Sequence, residues 1–190
     1  LFGDTLERVN LPQDKKFTIV SNKAHNFLCR KELSKLELKA SYILEEVGRN
    51  TAPAILMAVL NAAEDDILVI MPADHWIEDS SAFNKIIHTA INVAFSEDCW
   101  VTFGIKPTEP QTGYGYIKAN GGGAKRAVES FTEKPDLETA EHYLAEGNYY
   151  WNSGIFVVKA SKCIESFKQH QPELDKAAKE CWDHRDINGD

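Results

Sequence analysis

Charged and amide side chains recur just after apolar runs along this 190-residue chain. In "EEVGRNTAPAI" (45–55), Arg49, Asn50 and Thr51 precede a segment rich in Ala, Leu and Met. Asn50 or Thr51 is suited to cap a helix, and Gly48 permits a tight turn. Arg49 opposes the positive end of the helix dipole. With free backbone N–H groups it makes either a patch for an anion or the acceptor edge of a base, or a solvated side chain at an ordinary turn. In "ILVIMPADH" (67–75), Asp74 follows five unbroken apolar residues. It either caps a turn or ligates Mg²⁺ bridging phosphate oxygens, because Mg²⁺ takes one or two carboxylates and leaves its other positions to water and substrate. His75 beside it is a structural histidine or a base-contacting one.

Three later stretches add polar groups of other kinds. "QTGYGYI" (111–117) sets Gly113 and Gly115 around Tyr114, which is either a hairpin turn or a place where a ligand approaches the backbone. "FTEKPD" (131–136) carries Glu133, able to accept sugar hydroxyls, and Lys134, able to meet a phosphate as a point charge. A solvated ion pair is the plainer alternative. "YYWNSGIF" (149–156) holds Asn152, Ser153 and Gly154 within an apolar strand. Polar groups there need partners, so a ligand contact or a bulge is expected.

The elements that must position these groups alternate. Strands are expected at 15–22, 40–47, 67–71 and 99–105, and helices at 24–36, 51–64 and 81–96. The unbroken run 67–71 reads as a strand buried on both faces. In the helix at 81–96, Phe83, Ile86, Ile87, Ala90, Ile91 and Ala94 fall on one face. Strand–helix–strand repetition predicts an α/β, doubly wound, mostly parallel sheet. After residue 106 the rhythm changes to two strands around the glycines 121–123, a helix from Asp136, a strand at 149–159 and two helical segments. The sheet is therefore mixed, in one domain over residues 1–190. Ligands of such sheets bind at the carboxyl ends of strands, so the five polar stretches are expected to line one crevice.

Composition narrows the function class. The net charge of −8 argues against nucleic acid as a partner. No apolar run approaches the roughly 20 residues that span a bilayer, so no membrane partner is expected. Cys29, Cys99, Cys163 and Cys181 are scattered, without CxxC spacing, as reduced thiols of a cytoplasmic protein would be.

Taken together and in order, "GRNTAPAI", "MPADHWI", "TFGIKPTEPQTGYGYI", "FTEKPD" and "YYWNSGIF" resemble the bacterial mannose-1-phosphate guanylyltransferases, or GDP-mannose pyrophosphorylases. The resemblance covers nearly the whole chain. It implies a Rossmann-like nucleotide-diphospho-sugar transferase fold, with GTP and mannose 1-phosphate as substrates, GDP-mannose and pyrophosphate as products and Mg²⁺ as cofactor. It places Arg49, Asn50 and Thr51 around the guanine, Asp74 on Mg²⁺, and Ala73 and His75 beside the nucleoside. Tyr114 and Gly115 would line the sugar pocket, Glu133 would hold mannose hydroxyls, Lys134 would approach the sugar phosphate and Asn152 would contact the mannose. Asp74 and Lys134 are the catalytic candidates.

The family's pattern also includes a first strand with a glycine-rich GxGxRLxPxS loop, and a second metal carboxylate. Neither is found between Leu1 and Asp190, so the chain is expected to be truncated at both ends and its own activity impaired. A homodimer is compatible with the resemblance, and the sequence does not fix the oligomeric state. Two other functions remain open at this point: a non-catalytic sugar-nucleotide binding module, and a related sugar-phosphate nucleotidyltransferase with another base or sugar.

Overall fold

The computed structural model describes residues 2–9 and 15–187. Contacts divide the chain into two compact units, residues 1–101 with 157–190, and residues 102–156.

The first unit opens with α1 (Phe2–Arg8) and continues through β1 (Phe17–Asn22), a 3₁₀ turn (Lys23–His25), α2 (Asn26–Lys35) and β2 (Ala40–Glu45). β1 and β2 are parallel, with Phe17 opposite Ala40 and Asn22 opposite Glu45. This is the strand–helix–strand unit that the alternation of elements predicts, because parallel neighbours need a long crossover. Leu6, Ile19 and Leu33 form its buried centre, with Phe2, Phe17, Cys29, Leu36 and Tyr42 packed around them.

α3 (Thr51–Leu60) follows, then β3 (Ile67–Ile70) and α4 (Ser80–Glu97). Pro53 lies in the first turn of α3, where its missing N–H breaks no bond. α4 buries Phe83, Ile87, Ala90 and Ala94. Ile86, expected on the same face, is 53% exposed because it sits at the edge of the stripe those four define. β3 also departs from expectation. All four of its residues are half-buried rather than buried. An unbroken apolar run signals a strand with little water on either side, but it does not itself bring up the layers that would seal both faces.

The unit closes with the end of β7 (Tyr149–Lys159), α6 (Ala160–His170) and α7 (Pro172–Asp183). β3 pairs with β7, whose residues 157–159 belong to this unit. The backbone N–H of Ala160 donates to the Asp66 carbonyl at 2.9 Å, and that of Ser161 to the Glu64 carbonyl at 3.0 Å. These bonds fix the turn that feeds β3.

The second unit contains the rest of β4 (Val101–Ile105), then β5 (Tyr116–Ala119), β6 (Val128–Thr132), α5 (Leu137–Glu146) and most of β7. β5 lies antiparallel to β6, with Tyr116 opposite Thr132, and antiparallel to β7, with Tyr116 opposite Trp151. β5, β6 and β7 belong to a five-stranded sheet, ordered β3-β7-β5-β6 with β4 also on β7, that is separate from the two-stranded sheet of β1 and β2, where the alternation of elements predicts a single sheet. Asp136 caps α5 by accepting from the Thr139 N–H at 2.9 Å. Gly147, at φ 74°, ends it in the left-handed conformation that glycine adopts without strain. Tyr143 stacks on Tyr149 at 3.8 Å, over the buried Tyr116 and Ala140.

Burial pushes the Cys163 thiol up to about 12, because the thiolate would lose its hydration. Cys181 is exposed. Alkylation of the native protein at pH 8, followed by peptide mass spectrometry, should label Cys181 and reach Cys163 only after unfolding. Equal labelling rates at the two would contradict this packing of α6.

Candidate functional site

In the second unit the antiparallel pairing of β7 with β5 gathers four of the expected residues. The Asn152 N–H donates to the Gly115 carbonyl at 2.8 Å. A Cβ built on Gly115 would stand 2.7 Å from Phe131 Cζ and 2.8 Å from Glu133 Oε2. Glycine at 115 is thus what lets the Glu133 carboxylate and the Phe131 ring lie against the β5 backbone. The close approach is intramolecular, and "TGYG" is not a hairpin turn. Tyr114, half exposed, sets its ring against Trp151 edge to face at 5.3 Å.

The Asn152 side chain is held from within. Its Oδ1 accepts from the Gly154 N–H at 3.3 Å and from the Thr102 hydroxyl at 3.2 Å. Next to it, Ser153 Oγ accepts from the Ile155 N–H at 3.2 Å. Two successive side-chain-to-backbone bonds and Gly154 at φ 69° bend the strand here. The polar triplet therefore makes a local bend. Glu133 and Lys134 face one another at 3.3 Å, with side chains 57% and 63% exposed. So solvated a pair does not lock either group. Lys134 itself takes φ 45°, in the turn between the end of β6 at Thr132 and Pro135.

In the first unit the expected residues occupy two places. Arg49, Asn50 and Thr51 are exposed where the chain enters α3. Asn50 stands at the N-cap, yet its side chain makes no capping bond, and its backbone is at φ 70°, ψ −174°. This is a region that glycine favours and other residues occupy at a cost of about 1–3 kcal/mol. The capping role expected of Asn50 is absent because the backbone at that residue does not have cap geometry, and its carboxamide remains available. Gly48, by contrast, has no positive φ and open space around it.

Ala73 and Asp74 form an exposed turn just beyond β3, with His75 half-buried after them. No described side chain pairs with the Asp74 carboxylate, and among the described residues no three His, Cys, Asp or Glu side chains cluster as metal ligands. One exposed carboxylate offers a metal ion a single protein ligand and makes no all-protein cage.

Two contributors carry no mark in the sequence. The buried Arg8 donates from Nη2 to the His75 carbonyl at 3.1 Å, and its own carbonyl accepts from Asn84 Nδ2 at 2.7 Å. The turn that bears Asp74 is thereby tied to α1 and α4. Thr102, an ordinary β-branched strand residue by type, is the other. The distances along the chain, 67 residues for Arg8 and 50 for Thr102, place both beyond any local pattern.

An α/β chain with its polar groups where strands give way to turns is of the class that binds ligands at strand ends. The family is narrower. The family described as Nucleotidyl transferase matches residues 1–190, and the chain belongs to it. The chain is 47% identical over 169 residues to the xanthan biosynthesis protein XanB of Xanthomonas campestris pv. campestris, covering 87% of this chain and 36% of that protein. It is 40% identical over 198 residues to the mannose-1-phosphate guanylyltransferase RfbM of Salmonella typhimurium, covering 100% of this chain and 41% of that one. It therefore spans well under half the length of these curated relatives. A crystal structure of mannose-6-phosphate isomerase from Helicobacter pylori matches with a TM-score of 0.88 at 34% identity, covering 96% of this chain and 70% of that one.

Replacing Asn50 by glycine should relieve the backbone strain. The net gain is about 1 kcal/mol, once glycine's greater freedom in the unfolded chain is subtracted. The midpoint of urea unfolding should rise. A lowered midpoint would contradict the conformation described at the start of α3.

Proposed function

We propose that this chain serves in the transfer of the guanylyl group of GTP to mannose 1-phosphate, forming GDP-mannose and releasing pyrophosphate, with Mg²⁺ as cofactor. The observation that carries the proposal is the match along the whole chain to a relative named mannose-1-phosphate guanylyltransferase. The residues agree with it. Arg49, Asn50 and Thr51 supply a cation, an uncommitted carboxamide and free helix N–H groups, which suit the acceptor edge of guanine. Glu133, Asn152 and Tyr114 supply an acceptor, a donor and an aromatic edge, which suit a hexose, and the buried Gly115 leaves room for Glu133 among them. Lys134 brings a mobile positive charge for the sugar phosphate. Ala73 and His75 flank Asp74 on the nucleoside side.

In the reaction a phosphate oxygen of mannose 1-phosphate attacks the α-phosphorus of GTP. The bond from that phosphorus to the bridging oxygen of the β-phosphate breaks, and pyrophosphate leaves with its electrons. No enzyme nucleophile is required, so the chain's contribution is positioning and charge neutralisation. Asp74 would hold Mg²⁺, which would supply neutralisation of the phosphate charge. Asp74 orients that neutralisation, Lys134 draws in the sugar phosphate, and Arg49 holds the base in register. The setting is cytoplasmic: the four cysteines are unpaired thiols, as a reducing compartment keeps them, and no helix among the described residues is long and apolar enough to cross a membrane.

Two substitutions in the full-length protein test the reading. Asp74→Asn should abolish Mg²⁺-dependent pyrophosphate release while the circular-dichroism spectrum is unchanged. Near wild-type turnover at limiting Mg²⁺ would remove Asp74 from the metal. Arg49→Ala should weaken GTP binding about ten- to a hundredfold, the worth of one charge-assisted hydrogen bond, and leave mannose 1-phosphate nearly unaffected. Equal effects on both substrates, measured by isothermal titration, would contradict the assignment of the base site.

A further inference from the structure

We infer that Thr102 is a positioning residue for sugar recognition: its hydroxyl fixes the Asn152 carboxamide with the oxygen turned inward, so that Nδ2 is the atom offered to a sugar hydroxyl. The inference rests on the proposed sugar site and goes beyond it by assigning how that site's donor is set.

The hydrogen bonds decide the orientation. An amide side chain can be turned over with little change in shape, so which atom is the oxygen must be argued from its neighbours. The Gly154 N–H can only donate, and it points at Asn152 Oδ1 from 3.3 Å. If the carboxamide were reversed, two donors would face each other. The Thr102 hydroxyl has one proton and two acceptors in reach, Asn152 Oδ1 and the Ile155 carbonyl, each at 3.2 Å. With the proton on the Ile155 carbonyl, the Thr102 oxygen would set its lone pairs against Oδ1. Donation to Oδ1 gives the amide oxygen two donors, at the cost of a lone-pair contact with the Ile155 carbonyl in its place. Both lone pairs of Oδ1 are then used, and the two hydrogens of Nδ2 remain for a ligand.

The geometry around this contact favours a fixed group over a mobile one. Thr102 is half-buried on β4, and β4 pairs with β7, so the two side chains stand on adjoining backbone. A β-branched side chain has restricted χ1, so its hydroxyl is held in place by the strand rather than by the contact it makes. On the other side, the Asn152 N–H is tied to the Gly115 carbonyl at 2.8 Å, which fixes the Cα from which the carboxamide hangs. Backbone and side chain of Asn152 are thus both anchored. A pre-set donor loses less freedom on binding, which shows as affinity for the group it meets.

The test uses the full-length protein and initial rates of pyrophosphate release with GTP and mannose 1-phosphate. Thr102→Val keeps the shape and removes the hydroxyl. KM for mannose 1-phosphate should rise about three- to tenfold, the value of one neutral hydrogen bond, with kcat and the KM for GTP within about twofold. Thr102→Ser, which restores the hydroxyl, should bring that KM back to within about twofold of the parent. Asn152→Ala should raise the same KM at least as far as Thr102→Val. Should Thr102→Val fail to fold, Thr102→Ala makes the same comparison without the added methyl. If Asn152→Ala raises the KM and Thr102→Val leaves it unchanged, the positioning role is overturned and the sugar site stands. If neither changes it, or the parent turns over no hexose 1-phosphate, the proposed site and the inference fall together. A loss of kcat and of affinity for both substrates that serine does not restore would mark Thr102 as a packing residue and overturn the inference.

Discussion

The pairing of β7 with β5 is the constraint on which the second unit depends. Burial alternates along β7 from Asn152 to Val157, with Ser153, Ile155 and Val157 buried and Asn152 on the less buried face. Here Asn152 and Ser153 each turn back on the backbone two residues ahead, and Gly154 takes the positive φ that completes the bend. The polar side chains are satisfied where an apolar environment would otherwise penalise them by a few kcal/mol each. The Asn152 N–H bonds the Gly115 carbonyl at 2.8 Å, continuing the antiparallel register in which Trp151 lies opposite Tyr116. The absence of a side chain at Gly115 admits Glu133, so the β5–β7 register and one glycine together set three of the groups that would meet a sugar.

In the first unit, rigid supports carry an exposed chemistry. The turn with Asp74 leaves β3, whose entry is fixed by the backbone bonds of Asp66 and Glu64 to the start of α6. Its exit is held through the His75 carbonyl by the buried Arg8. Asp74 itself is exposed, as a carboxylate must be to exchange water for a metal and phosphate oxygens. At the start of α3 the backbone strain at Asn50 has no counterpart elsewhere in that helix, and it falls on a residue proposed to meet the base. Strain of this kind persists only where the surroundings over-determine the conformation, and it tends to gather at ligand sites.

Much of the fold was legible because it is written in local patterns. The strand 149–159, the helix capped by Asp136 and the parallel pairing of β1 with β2 all follow from runs, caps and alternation within a dozen residues. What was not legible depends on partners far along the chain. The exposure of Ile86 and the half-burial of β3 are decided by which layers pack where, which no window of sequence contains. The uncapped Asn50 has the residue type of a cap without its backbone angles. Of the candidate site, the residue types and their order were readable. The supports were not: Arg8 looked like any cation in the last turn of a helix, and Thr102 like any β-branched residue in a strand.

The account stands most directly on one measurement, the nucleotide and sugar preference of pyrophosphate release by the full-length protein. GTP, ATP, UTP and dTTP would each be paired with mannose 1-phosphate and with glucose 1-phosphate, in Mg²⁺, and the nucleotide sugar identified by mass spectrometry. The account predicts that GTP with mannose 1-phosphate is turned over with the highest kcat/KM and yields GDP-mannose. Preferential turnover of UTP or dTTP, or of glucose 1-phosphate, or the absence of pyrophosphate release from any pair, would contradict it.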